Sequence, residues 1–122
     1  MRQAITTGGK SIAPLSAAIV AEGKFAFVSG QVPFRDGEFV DGTIEEQTAL
    51  TLENLRGVLE AAGVSPADVV RVNVYLTDMA DFARMNSVYA EFFPDPKPAR
   101  TTVGVTMAGA FKVEIDCVAL LP

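Results

Sequence analysis

The chain has 122 residues, of which 49% are apolar and 20% charged, and this composition fits one globular domain over residues 1–122. It contains no histidine and a single cysteine, which excludes imidazole-based catalytic triads, internal disulfides and the usual metal sites. Its 15 acidic and 10 basic residues give a net charge of -5, so it lacks the basic surplus typical of nucleic-acid-binding proteins.

The first predicted element is a β-hairpin. Two mostly apolar segments, residues 15–21 and 25–28, flank the charged, glycine-containing break Glu22-Gly23-Lys24. Such a break between apolar runs is typical of a hairpin turn. A loop rich in glycine and aspartate is expected from Gln31 to Gly42.

A helix is predicted to begin after Thr43. Thr43 and Glu46 have the spacing of a capping box, in which each side chain bonds the free backbone amide of the other residue. A buried stripe at helical spacing is expected from Leu52, Leu55, Leu59 and Ala62. Gly63 suits the left-handed conformation that ends a helix.

The second half predicts a strand, a helix and two further strands. Residues 69–76 alternate, with Val70, Val72, Val74 and Leu76 on one face. Asp78 is expected to cap the second helix, whose apolar stripe is Phe82, Met85, Tyr89 and Phe92. The proline-rich segment 94–98 ends this helix, and strands follow at about 100–106 and 112–121.

This order of elements predicts an α+β fold in which two helices cover one face of a mixed sheet. The uncovered face is expected to be apolar as well, from Val103, Val105, Val113, Ile115 and Leu120. A large exposed apolar face usually marks an interface, so we expect the protein to form oligomers.

Two charged residues are the first candidates for chemistry. Arg100 follows the proline-rich segment at the start of an otherwise uncharged strand, where a guanidinium can bind a carboxylate through two parallel hydrogen bonds. Glu114 lies between apolar residues of the last strand and is a candidate base toward water. Asp116 shares its face and is the rival carboxylate.

The remaining candidates are weaker. Gly30 at the end of a predicted strand permits close approach of a ligand to the backbone, and Ser29 offers a hydroxyl. Asn86 in the second helix can fix a loop by side-chain hydrogen bonds. Cys117 in an apolar strand is interpreted as inert core, because no activating cation is near it in sequence.

Several segments together resemble the RidA/YjgF family, whose members are also labelled L-PSP endoribonucleases. They are Val28-Ser29-Gly30-Gln31-Val32-Pro33, Asn54-Leu55, 58–63, Asp81-Phe82-Ala83, Asn86, 89–93, Pro98-Ala99-Arg100 and Val113-Glu114-Ile115. They occur in the family's order and at nearly its spacings, from about residue 12 to the C-terminus.

The resemblance implies a chorismate-mutase-like fold and a homotrimer with the sheets inside and active sites between subunits. It implies that Arg100 binds the substrate carboxylate, that Glu114 holds or activates water, and that Ser29 and Gly30 line the pocket. Two positions depart from active relatives: Leu15 stands where a tyrosine is frequent, and Thr102 where a cysteine is frequent. These two differences are expected to change which substrate is bound more than they change the class of reaction.

The expected function is therefore hydrolytic deamination of imines or enamines, such as 2-iminopropanoate and 2-iminobutanoate, with Arg100 and Glu114 as catalytic residues. The other ligand contacts are expected from Ser29, Gly30, Thr102, Leu15 and Asn86, and no metal or cofactor is needed. One alternative is a specialised relative that acts on aminoacrylate or an aminomuconate-like compound. Another is a regulatory protein that binds small carboxylates without turnover.

The location is predicted from features that the chain lacks. The N-terminal pattern shows no signal peptide, and no apolar run approaches the ~20 residues of a membrane helix. We expect a cytoplasmic protein that contacts neither membrane nor nucleic acid.

Overall fold

The structure, a computed structural model, describes residues 1–122 as eight strands and two α-helices. The strands are β1 (Arg2–Ile5), β2 (Ala18–Ala21), β3 (Phe25–Gln31), β4 (Phe34–Arg35), β5 (Glu38–Phe39), β6 (Val69–Leu76), β7 (Ala99–Gly104) and β8 (Val113–Leu120). The helices are α1 (Ile44–Ala61) and α2 (Phe82–Phe92). Neither helix combines the length and the apolar character needed to cross a membrane.

A four-stranded mixed sheet is the centre of the fold. Its strand order is β3-β8-β6-β7, with β6 and β7 parallel and the other neighbours antiparallel. The two helices pack on one face, and the largest buried side chains lie between them and the sheet. The predicted α+β architecture is confirmed.

The predicted hairpin over residues 15–29 is wrong. β2 pairs with β1, whereas β3 pairs with β8 near the end of the chain. Alternation predicts that a segment is a strand, but it does not identify the partner that supplies its hydrogen bonds. A true hairpin, β4–β5, lies in the predicted loop, where Asp36 (φ 53°) and Gly37 (φ 79°) form a turn with two left-handed residues.

The ends of α1 follow the predicted signals. The Thr43 amide donates to Glu46 Oε1 (2.9 Å), and the Glu46 amide donates to Thr43 Oγ1 (3.1 Å). At the other end Gly63 has a φ of 80°. Ala62, however, is exposed, and it is the C-cap residue beyond the end of α1.

The start of α2 differs in detail from the prediction. Asp78 caps a short 3-10 turn, Met79–Asp81, by accepting a hydrogen bond from the Ala80 amide (2.9 Å). α2 follows directly from this turn, with Met85 and Tyr89 fully buried and Phe82 half-buried. Asp78 therefore caps the turn that precedes α2, and the helix itself begins at Phe82.

Some residues lie on a different face of the sheet from the one predicted. Val113 and Ile115 lie under the helices and are fully buried, so their assignment to the uncovered face was wrong. An irregularity between Val69 and Arg71 also leaves Val70 only partly buried, whereas Val69 is fully buried.

The uncovered face is mixed in polarity. Its apolar residues include Phe27, which is 79% exposed, and Val103. Polar residues occupy its centre on β6 and β8, namely Arg71, Asn73, Tyr75, Glu114 and Asp116. This face therefore carries side chains that could take part in a site, in addition to apolar side chains that could pack against a partner.

Candidate active site

Arg100 lies on the helix-facing side of the sheet. It is paired with Val72 of β6, whose side chain is fully buried under the helices, and neighbouring residues of paired strands share a face. Arg100 is itself only 7% exposed. Its guanidinium carbon lies 4.7 Å from the ring centroid of Tyr89 and 5.5 Å from that of Phe82.

The guanidinium has unused hydrogen-bonding capacity. Nε donates to Thr102 Oγ1 (2.9 Å), while the buried Nη1 has no partner. No aspartate or glutamate forms an ion pair with Arg100. Burial lowers the pKa of Arg100, but a guanidinium stays protonated at any physiological pH. An unpaired buried cation is costly, so the site is suited to an anion from outside the chain.

A cavity of about 470 Å³ opens next to this guanidinium. It is lined by Ile12, Ala13, Leu15, Met79, Phe82, Arg100 and Thr102. The predicted site residues Leu15, Arg100 and Thr102 therefore meet in one cavity, in which the other lining side chains are all apolar.

The segment that carries Leu15 is fixed beside β7. The Ser16 amide donates to the Pro98 carbonyl (3.2 Å), and Ser16 forms a parallel bridge with Ala99. The Ser16 hydroxyl also bonds the Lys97 carbonyl. Leu15 is thereby held next to the strand that carries Arg100.

Glu114 lies on the uncovered face, against Gly30. A Cβ atom on Gly30 would stand 1.9 Å from Glu114 Oε2, so only glycine permits this approach. Ser29 and Gly30 occupy a bulge, because Val28 pairs with Cys117 while Gln31 pairs with Ile115. The exposed Ser29 and Gly30 and the half-buried Glu114 thus form a second group of predicted site residues.

The chain after this bulge is anchored to α1 by Asn54. Its Nδ2 donates to the carbonyls of Val32 (2.9 Å) and Phe34 (2.8 Å). This contact gives a structural reason for the asparagine in the Asn54-Leu55 segment.

The two rival carboxylates differ in their hydrogen bonds. Asp116 Oδ1 accepts from Asn73 Nδ2 (2.9 Å), and Oδ2 accepts from the Tyr75 hydroxyl (2.8 Å). The hydrogen bond to Asp116 is also the main cause of the raised pKa of Tyr75. Glu114 accepts no hydrogen bond from the chain, so it is the carboxylate that remains available to water.

Arg100 and Glu114 do not belong to one pocket of a single chain. Arg100 pairs with Val72, whose side chain faces the helices. Glu114 stands between Val113 and Ile115 on β8, and both of these neighbours are buried under the helices, so Glu114 faces the other way. The two functional side chains therefore point to opposite faces of the sheet.

Two further candidates lie outside these groups. Asn86 does not line the cavity, and its buried Oδ1 has no partner within the chain. Cys117 is a free, buried thiol, and burial followed by the charge of Asp116 raises its pKa to about 12. Such a thiol is protonated and unreactive at neutral pH.

The chain also contains no cluster of three or more His, Cys, Asp or Glu side chains suited to a metal ion.

The sequence analysis did not assign three residues to the surroundings of Arg100 and its cavity. Tyr89 and Phe82 were interpreted only as core residues, although their spacing of seven places both on the helix face that meets Arg100. Met79 was missed because the 3-10 turn that presents it was not predicted.

Comparison with known proteins identifies the family of the chain. The family model described as "Endoribonuclease L-PSP" matches residues 5–121. The mitochondrial protein mmf2 of Schizosaccharomyces pombe is 52% identical over 104 residues, which cover 82% of each chain. The chloroplastic Reactive Intermediate Deaminase A of Arabidopsis thaliana is 38% identical over 114 residues, covering 91% of this chain and 60% of the relative.

A solved structure extends the agreement to the fold. YyfB of Yersinia pestis, from the conserved Rid protein family, superposes with a TM-score of 0.85 at 30% identity over 98% of both chains. The match of the family model to nearly the whole chain, together with these relatives, shows that the chain belongs to the Rid (RidA/YjgF, endoribonuclease L-PSP) family.

Proposed function

We propose that the protein hydrolyses imines or enamines of small 2-keto acids, of the 2-iminopropanoate and 2-iminobutanoate type, to the keto acid and ammonia. The observation that carries this proposal is the buried Arg100, a cation without a counter-ion beside an apolar cavity. A carboxylate with a short apolar side chain matches both features of that cavity.

The reaction depends more on the orientation of the substrate and the attacking water than on a strong acid or base. Arg100 binds the carboxylate, which holds the imine carbon in a fixed place, and Glu114 positions water for attack on that carbon. Water adds to the C=N bond, its proton passes by way of Glu114 to the nitrogen, and the carbinolamine expels ammonia to leave the keto acid. Every atom in this sequence comes from substrate and water.

The site has to be shared between subunits. Because Arg100 and Glu114 face opposite sides of one sheet, the Glu114 that serves a given Arg100 belongs to a second copy of the chain. The uncovered face, with Phe27 exposed beside the Glu114 group, is the surface proposed to meet that copy. In keeping with the family resemblance, we propose that three subunits assemble in this way.

Mixed oligomers test this arrangement. When inactive Arg100→Ala and Glu114→Gln chains are unfolded together and refolded at equal amounts, about one quarter of the shared sites contain both native residues. We expect ammonia release to return to about that fraction of the wild-type rate. A mixture that stays inactive although light scattering shows full exchange would place both residues in the same subunit's site.

The apolar cavity wall predicts the order of substrates. Leu15 contributes hydrocarbon where a hydroxyl donor is frequent in relatives, and one additional buried methylene is worth about 0.8 kcal/mol, or roughly fourfold in kcat/KM. We expect freshly generated 2-iminobutanoate or a leucine-derived imine to exceed 2-iminopropanoate in kcat/KM. Ammonia and keto-acid release measure this directly.

The matched variant is Leu15→Tyr, which should reduce the preference for the larger side chain. If 2-iminopropanoate is the better substrate in both proteins, Leu15 does not set the specificity. If neither imine nor aminoacrylate is hydrolysed, the proposed reaction itself is wrong.

A carboxylate-binding protein without turnover is the second candidate. It is favoured by the separation of Arg100 from Glu114 within the chain, since Arg100 and its cavity alone suffice to bind an anion. Binding of 2-oxobutanoate in the absence of ammonia release would select this candidate. In either case we propose a cytoplasmic location, because the single cysteine is buried and no internal disulfide can form. Cell fractionation is the direct test, since the relatives named above include mitochondrial and chloroplastic proteins.

A further inference from the structure

The guanidinium of Arg100 contacts aromatic rings where a buried cation would ordinarily contact a carboxylate. Its carbon Cζ stands over the rings of Tyr89 (4.7 Å) and Phe82 (5.5 Å), and no acidic side chain forms an ion pair with it. The face of an aromatic ring attracts a cation through its quadrupole, and more strongly in a site that excludes water. The rings therefore offset part of the cost of burying this charge.

Contact with ring faces leaves the Nη donors of the guanidinium free. These donors lie in the guanidinium plane, where Nε bonds Thr102 and Nη1 has no partner. A carboxylate of the chain in the same position would occupy them and would compete with an incoming anion. Aromatic partners hold the cation without this competition.

The hydroxyl of Tyr89 takes no part in these contacts. It is fully buried and has no hydrogen-bond partner, and burial raises its pKa, so it remains a neutral phenol. The ring face is thus the part of Tyr89 that acts on Arg100.

We propose that Tyr89 is a positioning residue which, together with Phe82, holds Arg100 in place of a counter-ion, so that the ligand carboxylate is the only anion in contact with the guanidinium. The identity of that ligand rests on the proposed function, whereas the aromatic support of Arg100 can be measured on anion binding alone. Specificity for carboxylates then depends on the absence of an acidic residue as much as on the presence of Arg100.

The first test compares Tyr89→Leu with Tyr89→Phe by calorimetry with 2-oxobutanoate, at a temperature where both variants are folded. Tyr89→Leu should raise Kd, and KM in the ammonia assay, about tenfold or more, with kcat changed much less, because Glu114 and its water are untouched. Tyr89→Phe should restore most of the affinity, since it keeps the ring face. Equal losses in both variants, or no loss in Tyr89→Leu, would overturn the proposal.

The control on the same helix is Phe92→Leu. Phe92 stands under a different cation, Arg56, at 4.7 Å, and does not line the Arg100 cavity. It also loses an aromatic ring from α2, although from a partly buried position, so a loss of affinity caused by weaker packing of this helix should appear in it as well. If Tyr89→Leu does not fold, Phe82→Leu replaces it, because Phe82 is half-buried and lies over the same guanidinium.

The second test introduces the missing counter-ion. Thr102→Asp places a carboxylate beside Arg100 Nε, whereas Thr102→Asn has a similar shape without charge. Thr102→Asp should bind 2-oxobutanoate about tenfold or more weakly than Thr102→Asn while unfolding at a higher temperature. Equal affinities would contradict the proposal, as would a wild-type protein that binds no keto acid. If the binding pattern holds but no imine is hydrolysed, the proposed reaction alone is wrong.

Discussion

Replacement of Arg100 by alanine is expected to abolish deamination and leave the fold intact. The guanidinium is the only cation lining the cavity, and the loss of a buried charged partner of a carboxylate costs ~2–5 kcal/mol in binding. Stability should not fall in proportion, because Arg100 makes one side-chain hydrogen bond and no ion pair within the chain. Steady-state kinetics with 2-iminobutanoate and calorimetry with 2-oxobutanoate measure both effects, and thermal unfolding checks the fold.

Arg100→Lys is the matched variant. It keeps a positive charge but replaces the planar fork by a point charge, which loses the two parallel hydrogen bonds to a carboxylate. We expect it to remain well below the wild type in kcat/KM. Wild-type values of kcat/KM in both variants would remove Arg100 from the site.

Glu114→Gln is expected to lower turnover by about 10²-fold or more, the usual scale for loss of a general base. The amide keeps the shape against Gly30 but loses the negative charge and the ability to take a proton from water. Binding of 2-oxobutanoate should survive, because Arg100 is unchanged. Single-turnover ammonia release separates this effect from any change in substrate binding.

Asp116→Asn is the control for that substitution. It removes the same charge from the same strand face, but Asp116 already accepts hydrogen bonds from Asn73 and Tyr75. Its loss should therefore lower the free energy of unfolding by about 1 kcal/mol, the usual net value of a hydrogen bond, and leave turnover nearly unchanged. The opposite result, with Asp116→Asn inactive and Glu114→Gln active, would identify Asp116 as the functional carboxylate.

Local signals in the sequence were sufficient for most secondary structure. The capping box of Thr43 and Glu46, the left-handed Gly63 and the strand over residues 69–76, which alternates from Val72 onward, depend on neighbours a few positions apart. All three occur in the structure. The prediction was wrong for β2, whose partner is β1, and for Val113 and Ile115, which face the helices. Alternation defines two faces of a strand but does not say which face the helices will cover.

The sequence also predicted the family and several residues of the candidate site. Short segments around Gly30, Arg100 and Glu114 resemble the Rid family, and the family model and the relatives show that the chain belongs to it. Leu15, Arg100 and Thr102 could be named as candidates, and the structure brings these three to one cavity.

Only the tertiary structure placed Arg100 and Glu114 on opposite faces of one sheet, and only it identified Asp116 as bonded and Glu114 as free. The aromatic support of Arg100 by Tyr89 and Phe82 likewise depends on how α2 packs across β7. The sequence by itself determined both helices, most of the long strands, the family and the list of candidates, because these follow from local periodicity and short motifs. The pairing of strands, the face on which each side chain lies and the contacts of Arg100 were decided by long-range strand register and helix packing. Both join residues that are far apart in the chain.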